Sequence, residues 1–475
     1  MRILIFAVFL LFILLLVFGT TAYYKPHIVP PSNWHPKSVV YKTQGVDVQP
    51  WTPLEPERKY VIEYWDIKWP VFRKDFLDYE GYLDYVVQGF MALYPNVRVE
   101  TRLFDLSLDA DWLLQAASTG DLPDVVCAPF ESWIAERGLL VDLSPFLGLY
   151  PPGSFVSACV EANTYQGRFW AFPRWLEPDF MVANRRLLGQ VGIDAESICK
   201  HGWTWDDFAA TAQSLRIPNV TPLILNTSGV RPLEKVVCSL SGRALLLDGE
   251  LGWTEDDLAR TVELLNTLSR AQIISSPPAK LENAMLEHFW SERAAILGPV
   301  SSGLLRHIRE RQESLIILPE SEKKARDIEV ALLPIPADSP EHIRFQAGML
   351  SLMVFRSDEP AQMRAAAEFA RFLATTDLPK ITEALQVVSC YTPLVSDTVD
   401  LLRACECKHW ISDALASGTG IVLPLDTLFS ATTSLKKTRI ESVLRAFWQK
   451  PSTAEELLEA VRASLEQPLE SPTKR

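Results

Sequence analysis

The chain has 475 residues, 48% of them hydrophobic and 22% charged, which is typical of a globular protein with two or three domains and excludes a disordered chain. Its formal net charge of -13 argues against nucleic acid as a partner, because phosphate groups are neutralised by basic patches. The seven cysteines are odd in number and scattered, so they do not indicate a disulfide framework. Cys405, Cys407 and His409 lack the spacing of a metal site, and we predict no metal.

The first residues predict export. Met1 and Arg2 precede an unbroken apolar run over residues 3–18, and small residues follow up to Ala22, as in a signal peptide. The same stretch is long enough for a marginal membrane anchor. We predict a signal peptide or anchor over residues 1–22 and an extended, proline-rich linker over residues 23–58. The remainder should lie outside the cytoplasm, held to a membrane through residues 3–22 if they are not cleaved.

From residue 59 the sequence alternates between strand and helix patterns. We predict strands over residues 60–65, 97–104 and 125–126, and helices around 82–91, 108–118 and 131–137. Gly120 suits the end of the second helix, and Pro123 prevents its continuation. The order strand, helix, strand predicts parallel βαβ units in an open α/β domain, whose ligands bind beyond the carboxyl ends of the strands.

The second half continues the α/β pattern. We predict strands over residues 180–184, 294–297, 330–333 and 346–355, and helices over 185–191, 359–374, 440–448 and 454–465. Two further helices begin with nearly the same residues, after Thr204 and after Thr254. Each Thr is predicted to be an N-cap, with Asp207 and Asp257 in the acidic position of a capping box. Capping explains both Asp residues, so we do not interpret them as catalytic.

Aromatic and charged side chains gather near the predicted strand ends. They are Trp65 and Asp66, then Phe130, Glu131 and Trp133, then Arg174, Trp175 and Glu177. Rings stack on the apolar faces of sugars, and carboxylate and guanidinium groups hydrogen-bond to hydroxyl groups, so the combination favours a saccharide site. For any single Trp, packing in the core is the simpler interpretation. The sequence holds no linear motif of a hydrolase, a metallopeptidase or a nucleotide-binding enzyme.

Several segments, in order, resemble one family. A first strand ends in Tyr64-Trp65-Asp66, and Gly120-Asp121-Leu122-Pro123-Asp124-Val125-Val126 and Gly138-Leu139-Leu140-Val141-Asp142-Leu143 follow it. Later come Gln166-Gly167-Arg168-Phe169-Trp170-Ala171-Phe172-Pro173 and Arg293-Ala294-Ala295-Ile296-Leu297-Gly298-Pro299. Over roughly residues 59–450 the chain resembles the extracellular solute-binding proteins of bacterial ABC importers, in the maltose-binding-protein-like group that mostly carries sugars.

The resemblance implies a two-lobed periplasmic-binding-protein-like fold of the class II type, each lobe a mainly parallel sheet flanked by helices. The N-lobe would comprise residues 59–172 with 341–385, and the C-lobe residues 173–340 with 386–465. Crossing segments near residues 171–174 and 341–345 would act as a hinge that closes on the ligand. The partners would be a small solute, in this reading a saccharide, and an ABC permease, with the chain a monomer at the bacterial cell surface or in the periplasm.

The resemblance places Asp66, Phe130, Glu131 and Glu177 at ligand positions of the family. The side-chain chemistry adds the rest: Trp65, Trp133 and Trp175 would stack, and Arg174 would hydrogen-bond together with Asp66, Glu131 and Glu177. Ser301, Ser302 and Gly348 complete the predicted ligand-binding set. The chain departs from the family there: Val300-Ser301-Ser302 stand where an aromatic residue usually follows Gly-Pro, and Gln346-Ala347-Gly348 where paired glycines are common.

Two other functions stay open on the sequence. A secreted glycosidase or lyase needs only two carboxylates beside a cleft and no linear motif. A ligand sensor tethered through residues 3–22 would use the same cleft without a permease. We favour the binding protein, with no catalytic residues and no cofactor.

Overall fold

The computed structural model describes most of the chain after residue 47. The described residues are 48–69, 78–105, 112–225, 230–242, 246–247, 250–251, 253–270, 274–275, 282–301, 311, 328–338, 345–376, 378–402, 407–417, 421–422, 442–443, 446 and 453–466. All of them belong to one compact unit, Tyr41–Pro468. The predicted signal peptide or anchor, residues 23–47 of the predicted linker and six of the nine residues of the predicted helix 440–448 lie outside the described residues. None of the described helices is long and apolar enough to cross a membrane.

The strands, in chain order, are β1 Tyr60–Lys68, β2 Val97–Asp105, β3 Val125–Ala128, β4 Thr164–Tyr165, β5 Arg168–Phe169, β6 Ala171–Asn184, β7 Thr221–Leu225, β8 Leu246–Leu247, β9 Glu250–Leu251, β10 Ile274–Ser275, β11 Ala294–Ser301, β12 Val330–Leu333, β13 Phe345–Val354, β14 Val388–Ser389 and β15 Ile421–Val422. The described helices are α1 Tyr79–Leu93, α2 Trp112–Thr119, α3 Ser132–Glu136, α4 Ser144–Leu147, α5 Ser157–Ala162, α6 Arg185–Gln190, α7 Ala195–His201, α8 Trp205–Ser214, α9 Val230–Ser241, α10 Glu255–Arg270, α11 Glu282–Trp290, α12 Pro360–Thr375, α13 Leu378–Leu385, α14 Thr392–Asp400, α15 Lys408–Ser417 and α16 Ala454–Glu466.

One sheet of 11 strands organises the described chain in the order β10-β7-β11-β6-β13-β3-β1-β2, with β12 and β14 also paired to β6 and β15 to β13. At one end β1 lies between β2 and β3 and is parallel to both. At the other end β7 lies between β10 and β11, again parallel to both. The long strands β6 and β13 run antiparallel between these two groups. The predicted α/β class is therefore confirmed.

Local sequence explains most of these elements. Gly120 follows α2 with a φ of 78°, the left-handed conformation that glycine adopts without strain, and its N–H donates to Ala116 O at 2.9 Å. At the start of α8 the Thr204 hydroxyl accepts from the Asp207 N–H, and the Asp207 carboxylate accepts from the Thr204 N–H. Thr254 and Asp257 repeat this arrangement before α10. Both predicted capping boxes are confirmed.

Strand β6 differs from the prediction. It extends over 14 residues, whereas the sequence pattern predicted a strand only from residue 180 and a crossing segment at 171–174. Pro173 and Pro178 lie inside β6. A proline lacks the amide donor of a ladder hydrogen bond, and its presence is a signal against a central strand. Tertiary pairing with β13, β11 and β12 overrides that signal.

Two large hydrophobic cores lie along β6 and β13. The first includes Tyr60, Ile62, Tyr64, Phe172 and Trp175. The second includes Leu176, Met181, Ala183, Leu297 and Met349. The change from one core to the other falls between residues 175 and 176 on β6, and between 349 and 350 on β13. The lobe boundaries near residues 172 and 340 stay a prediction, and these cores are what support it.

One disulfide joins Cys199 on α7 to Cys407, with the two Cα atoms 4.8 Å apart. The odd and scattered cysteines did not predict it, because partners 208 residues apart in sequence are brought together only by the fold. Both residues are buried. In this disulfide the Cys407 sulfur cannot act as a thiolate ligand in a site with Cys405 and His409.

Candidate ligand-binding site

A β-bulge in β6 positions the first group of predicted site residues. Leu350 of β13 lies opposite Trp175, and Ser351 opposite Pro173, so Arg174 is an extra residue without a cross-strand partner. A bulge turns the extra side chain out of the regular alternation of the strand, and bulges are common beside functional sites. Here Arg174 and Trp175 both enter the first core, where each is fully buried.

Arg174 forms a buried ion pair with Asp66 on β1, with Nη1 2.7 Å from Oδ2. The same carboxylate oxygen accepts from the hydroxyl groups of Tyr64 at 2.5 Å and Tyr79 at 2.7 Å. The other carboxylate oxygen accepts from the Ile67 N–H at 2.8 Å. Two charges out of water are stable only when such hydrogen bonds complete the pair. We call Tyr64, Asp66, Tyr79 and Arg174 the ion-pair cluster.

The remaining edge of the guanidinium group has no hydrogen-bond partner among the described residues. Arg174 Nε and Nη2 are buried and make no hydrogen bond, although Nη1 also donates to Tyr64 and to Cys127 Sγ. The Arg174 Cζ atom lies 4.0 Å from the centroid of the Trp175 ring, a cation–π contact. Trp175 in turn meets Trp69 edge to face, with centroids 6.2 Å apart. These contacts enclose Asp66, Arg174 and Trp175 inside the protein, whereas the sequence analysis predicted that all three contact the ligand.

Burial perturbs the titration of this cluster. It raises the pKa of the Tyr64 and Tyr79 hydroxyl groups well above their ordinary value, and the neighbouring Asp66 carboxylate adds to the rise. Burial also raises the pKa of the Cys127 thiol to about 12. The two phenols and the thiol therefore stay protonated at neutral pH.

A second group of predicted residues lies on the opposite face of β1 and β3. Trp65, Phe130 and Trp133 are at most 3% exposed and share a core with Trp170. Trp65 Nε1 donates to Glu63 at 2.6 Å, and Trp133 Nε1 donates to Glu131. The two indoles are thus packed and hydrogen-bonded inside the fold, whereas the prediction placed them against a sugar ring. Glu131, at the start of α3, keeps a half-buried side chain.

The third group lies on β6 and on its neighbours β11 and β13, which we call the crossing strands. Glu177 on β6 is opposite Gly348 on β13, and Asp179 on β6 is opposite Ser301 at the end of β11. Because residues two apart on a strand share a face, Glu177 and Asp179 lie on one face of β6. Gln346 and Gly348 share a face of β13 for the same reason. We call Glu177, Asp179, Ser301, Gln346 and Gly348 the crossing-strand polar face.

This polar face combines half-buried and buried members. Glu177, Ser301 and Gly348 are half-buried, whereas Asp179 and Gln346 are buried. Lys235 of α9 forms an ion pair with Asp179, and the Lys235 carbonyl oxygen accepts from Gln346 Nε2 at 3.0 Å. The helix α9 therefore fixes the two buried members from one side.

Sequence reasoning missed Asp179, Lys235 and Gln346. Asp179 carried a usable signal, because it follows Glu177 by two residues and must share its face once the segment is a strand. Lys235 carried none, since its distance of 56 residues from Asp179 is closed only in the fold. Ser302, also predicted, lies outside the described residues.

Gly298 allows β11 to pack closely on β6 three residues before Ser301. Its φ is 149°, and a Cβ atom there would lie 2.8 Å from Met181 Sδ and 3.1 Å from both Met181 Cα and Phe180 O. Only glycine fits so close to β6. The register of β11 against β6 shifts between Leu297 and Val300, which brings Val300 opposite Phe180 and Ser301 opposite Asp179.

Within the described ranges, no group of three His, Cys, Asp or Glu side chains is placed to hold a metal ion. What the site offers is carboxylate, amide and hydroxyl groups on adjacent strands, which suits hydrogen bonding to a polar solute.

The fold is that of the two-lobed periplasmic binding proteins, as the similar solved structures show. Residues 73–237 match the family model of the bacterial extracellular solute-binding proteins. This match confirms the predicted resemblance to that family over the matched residues.

Solved structures with the same fold are similar to most of the chain. The sugar-binding protein MalE of Xanthomonas citri is 14% identical with a TM-score of 0.64, covering 86% of this chain and 96% of that one. The GacH receptor of Streptomyces glaucescens, solved with acarbose, is 14% identical with a TM-score of 0.63, covering 86% and 98%. Maltose-bound MalE3 of T. maritima is 17% identical with a TM-score of 0.62, covering 85% and 99%. A comparison with curated proteins finds no match.

Proposed function

We propose that this chain is the extracytoplasmic solute-binding component of an ABC importer and that it captures a saccharide at the crossing-strand polar face. The observation that carries the proposal is the set of polar side chains on β11, β6 and β13, three neighbouring strands in the middle of the sheet. Ligands of α/β sheets bind where the order of the strands changes direction. The relatives solved with maltose and acarbose support a saccharide as the solute.

The polar face has the chemistry that a neutral sugar needs. The Glu177 carboxylate can accept from two neighbouring hydroxyl groups, and the Ser301 hydroxyl can both donate and accept. A Cβ atom at Gly348 would lie at ordinary contact distance from Glu177, 3.9 Å from its Cβ and 4.0 Å from its Oε2, so a side chain there would occupy space beside the carboxylate without a clash. Glu131, half-buried at the start of α3, is the member of the predicted set that would contact the solute from the segment after β3.

The enclosed members of the predicted set take a supporting role in this proposal. Trp175 and Arg174 tie β6 to β1 through Asp66, and Trp65, Phe130 and Trp133 pack under the end of β3. They hold the strand ends in place and do not stack on the sugar themselves. The family consists generally of transport components that are not enzymes. We extend this to the present chain, which binds and releases its solute unchanged.

The test is calorimetric titration of the full chain with a panel of maltose, longer maltodextrins, acarbose and other oligosaccharides. For a sugar that binds, Glu177→Gln should weaken the affinity about tenfold, because a hydrogen bond to a charged acceptor contributes about 1.5–3 kcal/mol. Gly348→Ala should also weaken binding while leaving the melting temperature unchanged. Glu100→Gln is the matched control, on the edge strand β2 and exposed.

Two results would overturn the proposal. Unchanged affinity in both Glu177→Gln and Gly348→Ala would remove the polar face from the site. A sugar that is cleaved during the titration, seen as product by chromatography, would favour the glycosidase or lyase alternative. The neighbouring genes distinguish import from sensing: permease genes would support import, and a histidine kinase gene would support sensing.

A further inference from the structure

Two buried cysteines other than the bonded pair lie side by side. Cys159 is on α5 and Cys390 directly follows β14, and both are fully buried in the same core. In the structure both are free thiols. No part of the proposed solute site uses them.

The backbone brings the two residues together. Residues 154–156 pair with 390–392 in antiparallel fashion: Val156 N–H donates to Cys390 O at 3.0 Å, and Thr392 N–H donates to Ser154 O at 2.9 Å. Phe155 and Tyr391 form the bridge between these bonds, with their rings 5.3 Å apart. Cys159 then turns back over this pair, because its own N–H donates to Val156 O at 3.0 Å in the first turn of the helix.

The thiols contact each other inside this packing. Burial raises the pKa of the Cys390 thiol well above its ordinary value, and a hydrogen bond with Cys159 raises it further. Both thiols are fully buried, so an oxidant in solution cannot reach them in the folded state. Oxidation would therefore take place during folding, before the core closes over them.

We propose that Cys159 and Cys390 form a second structural disulfide when the chain folds outside the cytoplasm. This inference rests on the extracytoplasmic location in the proposed function, and on the Cys199–Cys407 bond as a sign that the fold accommodates oxidised cysteines. The link would covalently join a segment that precedes β6 in the chain to one that follows β14, whose residues pair with β6.

The chemistry balances with a disulfide-bearing oxidant, such as oxidised glutathione or a thiol oxidoreductase in its disulfide form. One cysteine thiolate attacks the oxidant to give a mixed disulfide, and the second thiolate displaces the oxidant's thiol. Two thiols lose two protons and two electrons, and the oxidant gains them as a dithiol or two thiols.

The experiment is a disulfide map of the exported full chain. The protein is denatured without reductant, free thiols are blocked with N-ethylmaleimide, and the digest is analysed by mass spectrometry. We expect one cross-linked peptide pair for Cys199–Cys407 and another for Cys159–Cys390, with Cys127 and Cys238 blocked. In Cys390→Ser, Cys159 should become blocked, whereas the matched change Cys238→Ser should leave the Cys159–Cys390 link in place.

A second arm makes the result independent of the cell. Reduced and unfolded chain is refolded in a glutathione redox buffer and mapped in the same way, and its melting temperature is measured with and without reductant. Cys390→Ser should melt several degrees lower than Cys238→Ser without reductant, and this difference should narrow when reductant is added. If Cys159 and Cys390 are both blocked by the reagent in refolded protein that carries the Cys199–Cys407 link, the proposal is overturned. Saccharide titration of the same samples reports separately on the proposed function.

Discussion

The buried ion pair between Asp66 and Arg174 makes the sharpest prediction. Replacing Asp66 with Asn keeps the size of the side chain and removes its charge. The Arg174 guanidinium would then be fully buried without a counter-charge, and the hydroxyl groups of Tyr64 and Tyr79 would face an uncharged partner. Breaking a buried pair in this way costs about 3–5 kcal/mol. The free energy of unfolding of Asp66→Asn should fall by that amount.

Urea unfolding followed by tryptophan fluorescence measures this change, with Asp338→Asn as the matched control. Asp338 forms an ion pair with Arg260 in which both side chains are 41% exposed, so its loss should cost about 0–1 kcal/mol. Adding Arg174→Met to Asp66→Asn should recover part of the loss, because the unpaired charge is removed with it. A loss below about 1 kcal/mol in Asp66→Asn would refute this reasoning, and so would strict additivity in the double variant.

Four further predictions concern stability. Thr204→Ala should destabilise the protein by about 1 kcal/mol in urea unfolding, whereas Thr204→Ser should retain the cap of α8. Hydrogen bonds from Thr204 lower the pKa of the Asp207 carboxyl group. The ionised carboxylate should therefore stabilise the fold above about pH 4, and this contribution should be lost as the pH falls through the lowered pKa. If the free energies of unfolding of Asp207→Asn and wild type stay parallel down to about pH 2, the prediction is contradicted. Replacing Cys199 and Cys407 with Ser should cost about 2–5 kcal/mol by the same measurement, and no change in the midpoint would show that this bond does not constrain the unfolded chain. Gly298→Ala should lower the melting temperature, since the added Cβ would overlap Met181, and a variant as stable as wild type would show that β11 can move away from β6.

Local patterns in the sequence were sufficient for most of the elements. The predicted strand at residues 330–333 coincides with β12, and the predicted helix 359–374 differs from α12 by one residue at each end. Both capping boxes were visible as Thr followed three residues later by Asp. Such features depend on residues close in sequence, so periodicity and capping chemistry determine them.

The candidate site depended far more on tertiary structure. Aromatic residues near strand ends were predicted to meet the ligand, but Trp65, Trp133 and Trp175 are all packed inside cores. An aromatic side chain has the same sequence signature in a core and in a sugar site. Only the position of neighbouring strands decides which of the two it occupies.

The sequence by itself determined the α/β class and the resemblance to solute-binding proteins, and it named Glu177, Ser301 and Gly348 as ligand residues, which stays a prediction. Tertiary structure decided that β6 is one strand through two prolines, that Arg174 turns inward at a bulge, and that Lys235 reaches Asp179. The physical reason is the separation along the sequence between the residues that interact. Propensity and periodicity act over a few residues, whereas a bulge, a buried ion pair and a disulfide exist only once distant segments have paired.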